Sequence, residues 1–198
     1  MEECEFKTIK LEEPIKNGGM PLFDALSKRK SDREFDNSKY LTLKQVSQLL
    51  WCCYGNNREG GFKVVPSALH MNPLTIYAFM KCGVFKYIPE NSELEPVKQG
   101  DHRELTGVQP FVKNAALNIV IVADYTIKIP IKGFNLDLNA RKKCGYFDSA
   151  HCCQNIYLYC VSEGLKCIER GTCQEVKLKE LLGLDENKEI MTTLSVGY

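Results

Sequence analysis

The chain has 198 residues, with 26 basic and 25 acidic side chains and a net charge of +1. This length suits one domain or a tightly joined pair, and it is long enough to bury a core. The near-neutral charge argues against a general binder of nucleic acids or membrane surfaces, so we expect neither partner and only a local anion site.

The N-terminus has no basic start followed by an apolar run, so no signal peptide is predicted. No apolar stretch approaches the ~20 residues of a membrane-spanning helix. We therefore expect a cytoplasmic protein, with a removed leader left open as an alternative.

The first third of the chain is predicted to be helical after an extended arm. The arm covers residues 1–19, and a single domain is predicted over residues 20–198. A short helix is predicted at about 21–29, because its first residue is a proline and proline suits a first helical turn. The capping-box pattern at Thr42 and Gln45 predicts the start of a longer helix.

Mainly strands are predicted in the middle of the chain. Gly55 should end the preceding helix, and residues 56–61 are predicted to form a mobile loop. The β-prone segments 74–80 and 84–88 flank a short turn and predict a hairpin. Residues 91–101 are predicted to form another loop.

The last third combines strands and helices. The apolar run 117–123 predicts a central strand. An apolar stripe predicts a helix at 148–163, ended by Gly164. A short helix at 176–182 and a final strand at 190–196 complete an α+β domain with helices packed on a sheet.

Ten cysteines are present, none in a C-x-x-C pair or at zinc-finger spacing. Most lie within apolar patterns, where cysteine behaves as a small buried hydrophobe. We therefore favour reduced thiols over a disulfide or metal framework.

Three segments are candidates for a binding site. Residues 28–33 read KRKSDR, and four basic side chains around a serine hydroxyl suit a phosphate. Residues 66–73 read PSALHMNP and could lay backbone amides against a flat polar ring. Residues 164–171 read GLKCIERG, where glycine permits close approach to a ligand. Taken alone, residues 28–33 are more simply explained as a solvated basic turn than as a binding site. Residues 66–73 and 164–171 are likewise more simply explained as plain connections between elements.

Common catalytic signatures are missing from the sequence. It contains no G-x-G-x-x-G, no G-x-S-x-G and no H-E-x-x-H. His151 lies beside Cys152, but adjacent helical side chains point in different directions, so we do not predict a catalytic pair. We therefore predict no protein nucleophile and no metal.

Five segments in order resemble the signatures of one family. KRKSDREF is similar to R-R-S-x-R-x-F, and LTLKQVSQLLWCCYGNNR to L-x-Q-L-x-x-L-L-W-A-x-x-G-x-N-R. VPSALHMNPLTIYAF, GYFDSAHCCQNIYLYCVSEGL and LLGLDENKEIMTTLSVGY are similar to its loop, long helix and V-G-Y close. From about residue 20 to residue 198, the chain thus resembles the nitroreductase family.

The resemblance implies an α+β fold of the nitroreductase type. This is a three-layer sandwich with a mixed, mainly antiparallel sheet flanked by helices, in an intertwined homodimer with FMN at the interface. It also implies that NAD(P)H passes hydride to flavin N5 and leaves. A nitroaromatic, quinone or similar small-molecule acceptor then takes its place in a ping-pong reaction. No catalytic side chain is implied.

By position, the resemblance implies that the FMN phosphate and ribityl chain are held by Arg29, Lys30, Ser31 and Arg33. The family often has basic residues beyond its V-G-Y close that help to hold the phosphate. The sequence stops at Tyr198, so we expect residues 29–33 to carry more of that role.

The flavin ring would be bordered by two further groups. One comes from the other subunit and comprises Pro66, Ser67, Ala68, Leu69 and His70. Arg170 and Gly171 would face the N5 edge, with the Gly171 amide a candidate donor to N5. His70 stands where a small or amide residue is usual, which bears on the choice of acceptor, and Ala150 replaces a usual glycine.

Three functions stay open at this point. The first is an NAD(P)H-dependent reductase. The second is another enzyme on the same scaffold, such as a ring dehydrogenase or a flavin-consuming enzyme, because fold does not fix function. The third is an interaction protein, with or without flavin, that has no turnover.

Overall fold

Residues 5–198 are described by a computed structural model of the chain. The four α-helices are α1 (Leu22–Lys28), α2 (Leu43–Tyr54), α3 (Leu138–Ser162) and α4 (Glu175–Leu182). Short 3₁₀ turns cover Ala68–His70, Arg103–Thr106 and Pro110–Asn114. The strands are β1 (Ile9–Lys10), β2 (Asn56–Arg58), β3 (Phe62–Lys63), β4 (Leu74–Met80), β5 (Gly83–Ile88), β6 (Glu93–Gln99), β7 (Leu117–Asp124), β8 (Lys166–Arg170) and β9 (Lys188–Gly197).

Seven strands form one sheet in the order β1-β6-β5-β4-β7-β9-β8. Every pairing in this sheet is antiparallel, which confirms the expected mainly antiparallel arrangement. β7 lies between β4 and β9, and seven of its eight residues are buried. A continuous apolar strand needs cover on both faces, so the prediction of a central strand is confirmed.

Helices cover both faces of the sheet and give three layers. On one face, α2 and α3 pack over a large apolar core that includes Leu49, Ile119 and Ile156. On the other face, α4 packs through Leu178 against a smaller cluster around Val120. Burial of each such side chain contributes about 1.5–3 kcal/mol. The predicted α+β sandwich is therefore confirmed.

The capping box of α2 forms as predicted. Gln45 N donates to the Thr42 hydroxyl at 3.1 Å, and Thr42 N donates to Gln45 Oε1 at 2.9 Å. The helix ends at Gly55, whose N–H donates to Trp51 O. The glycine is in an extended conformation, so the helix stops without a left-handed turn.

Two predicted loops are strands in the structure. Residues 56–61 contribute to a hairpin of β2 and β3, and residues 91–101 contain β6. β6 reads ELEPVKQ and keeps five of its seven side chains exposed. Its outer neighbour is the two-residue β1, so it behaves almost as an edge strand, where charges and proline are accepted. This polar composition is typical of a loop, which is why the sequence predicts a loop at residues 91–101 instead of a strand.

The helix predicted at 148–163 begins earlier, at Leu138. The Asp137 carboxylate caps it by accepting from Ala140 N at 2.8 Å. Its first two turns are mostly not buried and carry several basic side chains, so they show no apolar stripe. Gly164, with φ of 68°, follows its end as predicted.

Eight cysteines are free thiols, and five of these are buried. The expectation of reduced thiols is therefore confirmed for these eight, whereas Cys82 is disulfide-bonded. Cys4 lies outside the described residues. Within residues 5–198, no group of three or more His, Cys, Asp or Glu side chains is arranged to hold a metal. In the same residues, no helix is long and apolar enough to cross a membrane.

Candidate functional site

The KRKSDR segment lies along the outer edge of β8. Asp32 N donates to Cys167 O at 3.0 Å, which fixes the segment beside the strand. The Tyr157 hydroxyl of α3 accepts from Glu169 N at 2.8 Å and lies 3.0 Å from Ser31 Oγ. With Tyr157 donating its proton to Ser31 Oγ, the serine keeps its own O–H for a ligand.

Two guanidinium groups of this segment are free for a ligand. Neither Arg29 nor Arg33 has a hydrogen bond or ion pair to any residue within 5–198, whereas Lys30 pairs with Asp32 at 3.2 Å. Arg29 is half-buried and its guanidinium carbon lies 5.2 Å from the Tyr157 ring centroid. Arg29 and Ser31 therefore contact the same tyrosine, Arg29 at its ring and Ser31 at its hydroxyl.

β8 runs from beside this segment to Gly171, the residue that follows the strand. Cys167 and Arg170 are three residues apart, or roughly 10 Å along a strand. Gly171 is exposed, and a methyl group added there would meet nothing within 4 Å. The backbone at Gly171 is thus open to a flat ligand. The Arg170 side chain, by contrast, is buried among residues 107–112.

The loop at residues 66–72 is held in a strained conformation. Leu69, His70 and Asn72 have positive φ angles of 52°, 53° and 49°. Each such non-glycine residue costs of order 1–3 kcal/mol, and the surroundings must enforce it. Ser67 Oγ accepts from Asn72 N at 3.0 Å and donates to Asp148 Oδ2 at 2.6 Å.

Asp148 is the anchor of this loop. Its carboxylate is buried, and it accepts from the Ser67 hydroxyl. Burial raises the pKa of this carboxyl, while the Ser67 bond, the charge of His151 and the Ala68 bond act in the opposite direction.

His70, at the far side of the loop, is held by stacking. Its ring stacks on Phe62 at 4.3 Å between centroids with an interplanar angle of 8°. The Arg58 guanidinium carbon lies 4.5 Å from the centroid of the same Phe62 ring. The stack fixes the His70 ring. Of the other loop residues named from the sequence, Pro66 and Ala68 are exposed and Leu69 is half-buried.

The two segments lie on opposite sides of α3. The 66–72 loop contacts Asp148, and the 28–33 segment contacts Tyr157. These residues are nine positions apart, which is 2.5 helical turns and ~13.5 Å, so their side chains leave the helix in opposite directions. Within one copy, therefore, the structure brings 28–33 together with β8 and keeps 66–70 apart from them.

Sequence reasoning missed Tyr157 and Asp148 as site residues. It placed Tyr157 in the apolar stripe of α3, although a buried tyrosine hydroxyl needs a partner. Asp148 is the one acid among the buried positions of that helix. A polar group within an apolar stripe was the available signal for both.

The Nitroreductase family profile matches residues 26–198, which is most of the chain. The chain belongs to the nitroreductase family. A Methanocaldococcus jannaschii protein classed as a nitroreductase is 33% identical over 175 residues, covering 83% of this chain and 85% of that protein. Membership assigns this nitroreductase-family chain to the oxidoreductases.

Solved structures of the nitroreductase type share the fold. A Ralstonia eutropha protein classed as a nitroreductase superposes with a TM-score of 0.87 at 34% identity, covering 96% of this chain and 89% of that one. The Vibrio harveyi NADPH:FMN oxidoreductase, solved with NAD⁺, has a TM-score of 0.65 at 19% identity, covering 89% and 67%. At that identity the likeness shows the fold alone.

The residues of this nitroreductase-family chain fit the phosphate end of a flavin mononucleotide. The Arg29 and Arg33 guanidinium groups, which have no hydrogen bond or ion pair within residues 5–198, and the Ser31 hydroxyl are donors of the kind that bind a phosphate monoester. The open backbone at Gly171 lies farther along the same strand edge, where a ring could follow the phosphate.

Proposed function

We propose that this chain is an FMN-dependent oxidoreductase that passes hydride from NAD(P)H to nitroaromatic, quinone or similar acceptors. One observation carries this proposal: Arg29 and Arg33, which make no hydrogen bond or ion pair within residues 5–198, flank Ser31 in the segment beside the strand edge that leads to an open Gly171. Family membership supports the reaction class.

When bound, FMN would supply the hydride chemistry at its N5 atom. The protein's part is to bind and orient. We assign Arg29, Lys30, Ser31 and Arg33 to the phosphate and ribityl chain. Tyr157 holds Ser31 in place by the bond between their hydroxyl groups.

We assign the ring to two backbone segments. Arg170 and Gly171 would border its reactive edge through the backbone. Residues 66–70 would border it from a second copy, because they lie on the far side of α3 within one chain. Since donor and acceptor would use one pocket in turn, we expect ping-pong kinetics.

We expect the purified protein to be yellow from FMN that is bound without a covalent link. Denaturation followed by chromatography of the supernatant should release intact FMN. Colourless protein that also fails to take up added FMN would refute the proposal.

Oxidation of NAD(P)H in the presence of a quinone or nitro compound then tests turnover. Protein that holds FMN but shows no such turnover would point to another flavoenzyme on this scaffold or to a non-catalytic flavin-binding protein.

A homodimer is the second expected result. Large apolar side chains are exposed on α1 and α3: Phe23 is 82% exposed and Phe147 62%. Obligate interfaces commonly bury more than ~2,000 Å² of largely apolar surface. Light scattering should give about twice the chain mass of 22.5 kDa.

Substitution of one exposed ring tests this interface directly. Phe147→Asp should lower the measured mass and weaken FMN together, whereas Val97→Asp, on an exposed site of β6, should change neither. A monomer that still binds FMN tightly would contradict a site built from two chains.

A further inference from the structure

Arg170 holds a positive charge inside the protein, next to the backbone that would border the flavin ring. The residue is 5% exposed, and its guanidinium carbon lies 6.0 Å from the Phe111 ring centroid. Its Nη1 lies so close to Gly107 that a methyl group there would overlap it. The three guanidinium nitrogens have almost no accessible surface, so the group can act on a ligand only through its charge.

This charge has no partner in the chain. The Nε, Nη1 and Nη2 atoms make no hydrogen bond or ion pair to any other described residue. Of the acids nearest in sequence, Glu169 accepts from Thr192 Oγ1 at 3.1 Å. Glu175 is ion-paired with Lys179 at 2.7 Å. Burial lowers the pKa of Arg170 to about 10, so the group is still charged at neutral pH.

The backbone of the same residue is fixed. Thr192 Oγ1 and Thr193 Oγ1 donate to Arg170 O at 3.1 and 3.4 Å. Because a peptide unit is planar, these bonds also orient the N–H of Gly171. Adjacent Cα atoms are ~3.8 Å apart, and an arginine side chain adds roughly 6 Å at full extension, so the charge lies within roughly 10 Å of Gly171.

A buried and unpaired charge acts over such a distance. Salt screens an exposed charge, whereas it screens a buried charge much less. At an effective dielectric constant of about 20, two unit charges ~10 Å apart shift an equilibrium by about tenfold. Reduction of a flavin adds a hydride with its two electrons from NAD(P)H, which leaves as NAD(P)⁺, and so adds negative charge to the ring. A positive charge nearby therefore favours the reduced flavin.

We propose that Arg170 raises the reduction potential of bound FMN through its charge, without contact between the guanidinium and the ring. This inference rests on the proposed function, which places FMN beside Gly171. Removal of the charge should shift the balance between oxidised and reduced FMN about tenfold toward the oxidised form. For a two-electron couple this shift corresponds to about 30 mV.

Midpoint potentials of FMN-loaded variants test the inference directly. Arg170→Met should lower the potential by about 30 mV, and Arg170→Lys, which keeps the charge, should stay closer to the wild type. Arg103→Met is the matched control, because Arg103 donates to Asp101 at 2.8 and 2.7 Å and its charge is already compensated. The control should leave the potential unchanged. Equal potentials for Arg170→Met and the wild type would overturn the inference.

Thermal unfolding of the same variants in saturating FMN tests whether the charge is unpaired. Arg103→Met should lower Tm, because it also removes the bond to Ala115 O at 2.6 Å. Arg170→Met should leave Tm unchanged or raise it, because methionine keeps much of the apolar stem and removes an uncompensated charge. An equal loss of Tm in both variants would mean that a second copy supplies a counter-charge, and it would overturn the inference.

The two half-reactions distinguish a changed potential from a damaged site. In stopped-flow measurements, Arg170→Met should slow the reduction of FMN by NAD(P)H but not its reoxidation by a quinone. An equal loss of both rates would overturn the inference. The potential is measured without turnover, so the two failures can be told apart. Protein that takes up no FMN would refute the proposed function as well, whereas an unchanged potential in FMN-loaded Arg170→Met would refute only the role of Arg170.

Discussion

Replacing Arg29 or Arg33 with alanine is expected to weaken FMN binding by about 10- to 100-fold. A hydrogen bond that involves a charged group contributes roughly 1.5–3 kcal/mol, and this range converts to that loss of affinity. Both guanidinium groups lack a partner within residues 5–198, so their donors are available to a phosphate. Equilibrium titration of the apoprotein with FMN measures the effect.

Riboflavin provides the matched control for this prediction. It has the same ring but no phosphate, so its affinity should barely change in either variant. Lys44→Ala changes the net charge equally on exposed surface of α2 and should leave FMN affinity unchanged. The loss should also shrink at high salt, because screening already weakens the wild-type contact.

The size of the effect should follow the charge of the group. Ser31→Ala should cost less than either arginine, since its hydroxyl is neutral. Equal weakening of FMN and riboflavin would show that the cluster shapes the whole pocket instead of recognising phosphate. No weakening of either ligand would mean that the basic turn is only a solvated surface.

Asp148→Ala is expected to destabilise the fold and to weaken FMN. The change leaves the Ser67 hydroxyl without its acceptor, at a cost of about 1–3 kcal/mol if that group stays buried. The positive φ angles of Leu69 and His70 would then lose the contact that enforces them. Urea unfolding and FMN titration measure the two effects.

Asp148→Asn is the matched control, because the amide oxygen can still accept from the Ser67 hydroxyl. It should retain most of the stability and more FMN affinity than the alanine variant. An Asp148→Ala protein with wild-type stability and wild-type FMN affinity would show that the loop holds its conformation without the carboxylate.

The pH dependence of stability gives a separate readout of Asp148. Its folded pKa is raised by burial, so the native state binds the proton more tightly than the unfolded chain does. Its contribution is therefore greatest below the ordinary aspartate pKa and is lost as pH rises through the raised value. In that window, the stability of Asp148→Asn should fall less with rising pH than that of the wild type.

Local patterns predicted much of the fold. The capping box and apolar spacing of α2, the apolar run of β7 and the hairpin of β4 and β5 all formed as expected. These features depend on neighbours in sequence. β6 was missed because its stability comes from pairing with β5, which its polar composition does not reveal.

In the candidate site, too, the features that depend on neighbours in sequence could be predicted, and the contacts between distant residues could not. The basic cluster at 28–33 is visible in the sequence because its charges are contiguous. The bond from Ser31 to Tyr157 spans 126 residues, and that from Ser67 to Asp148 spans 81. Nothing in either local pattern identifies such a partner. Nor does the sequence reveal that the Arg170 side chain is buried among residues 107–112.

The position of Asp148 and Tyr157 on one continuous helix also limits how this part of the chain can change in length. Inserting a single residue between them would rotate one end of α3 by ~100° relative to the other and displace it by 1.5 Å. The 66–72 loop and the 28–33 segment, which these two residues hold, would then no longer lie in their present relative orientation. The exposed connection before the helix has no such constraint, so variation in length should accumulate there and be excluded from the stretch between the two anchors.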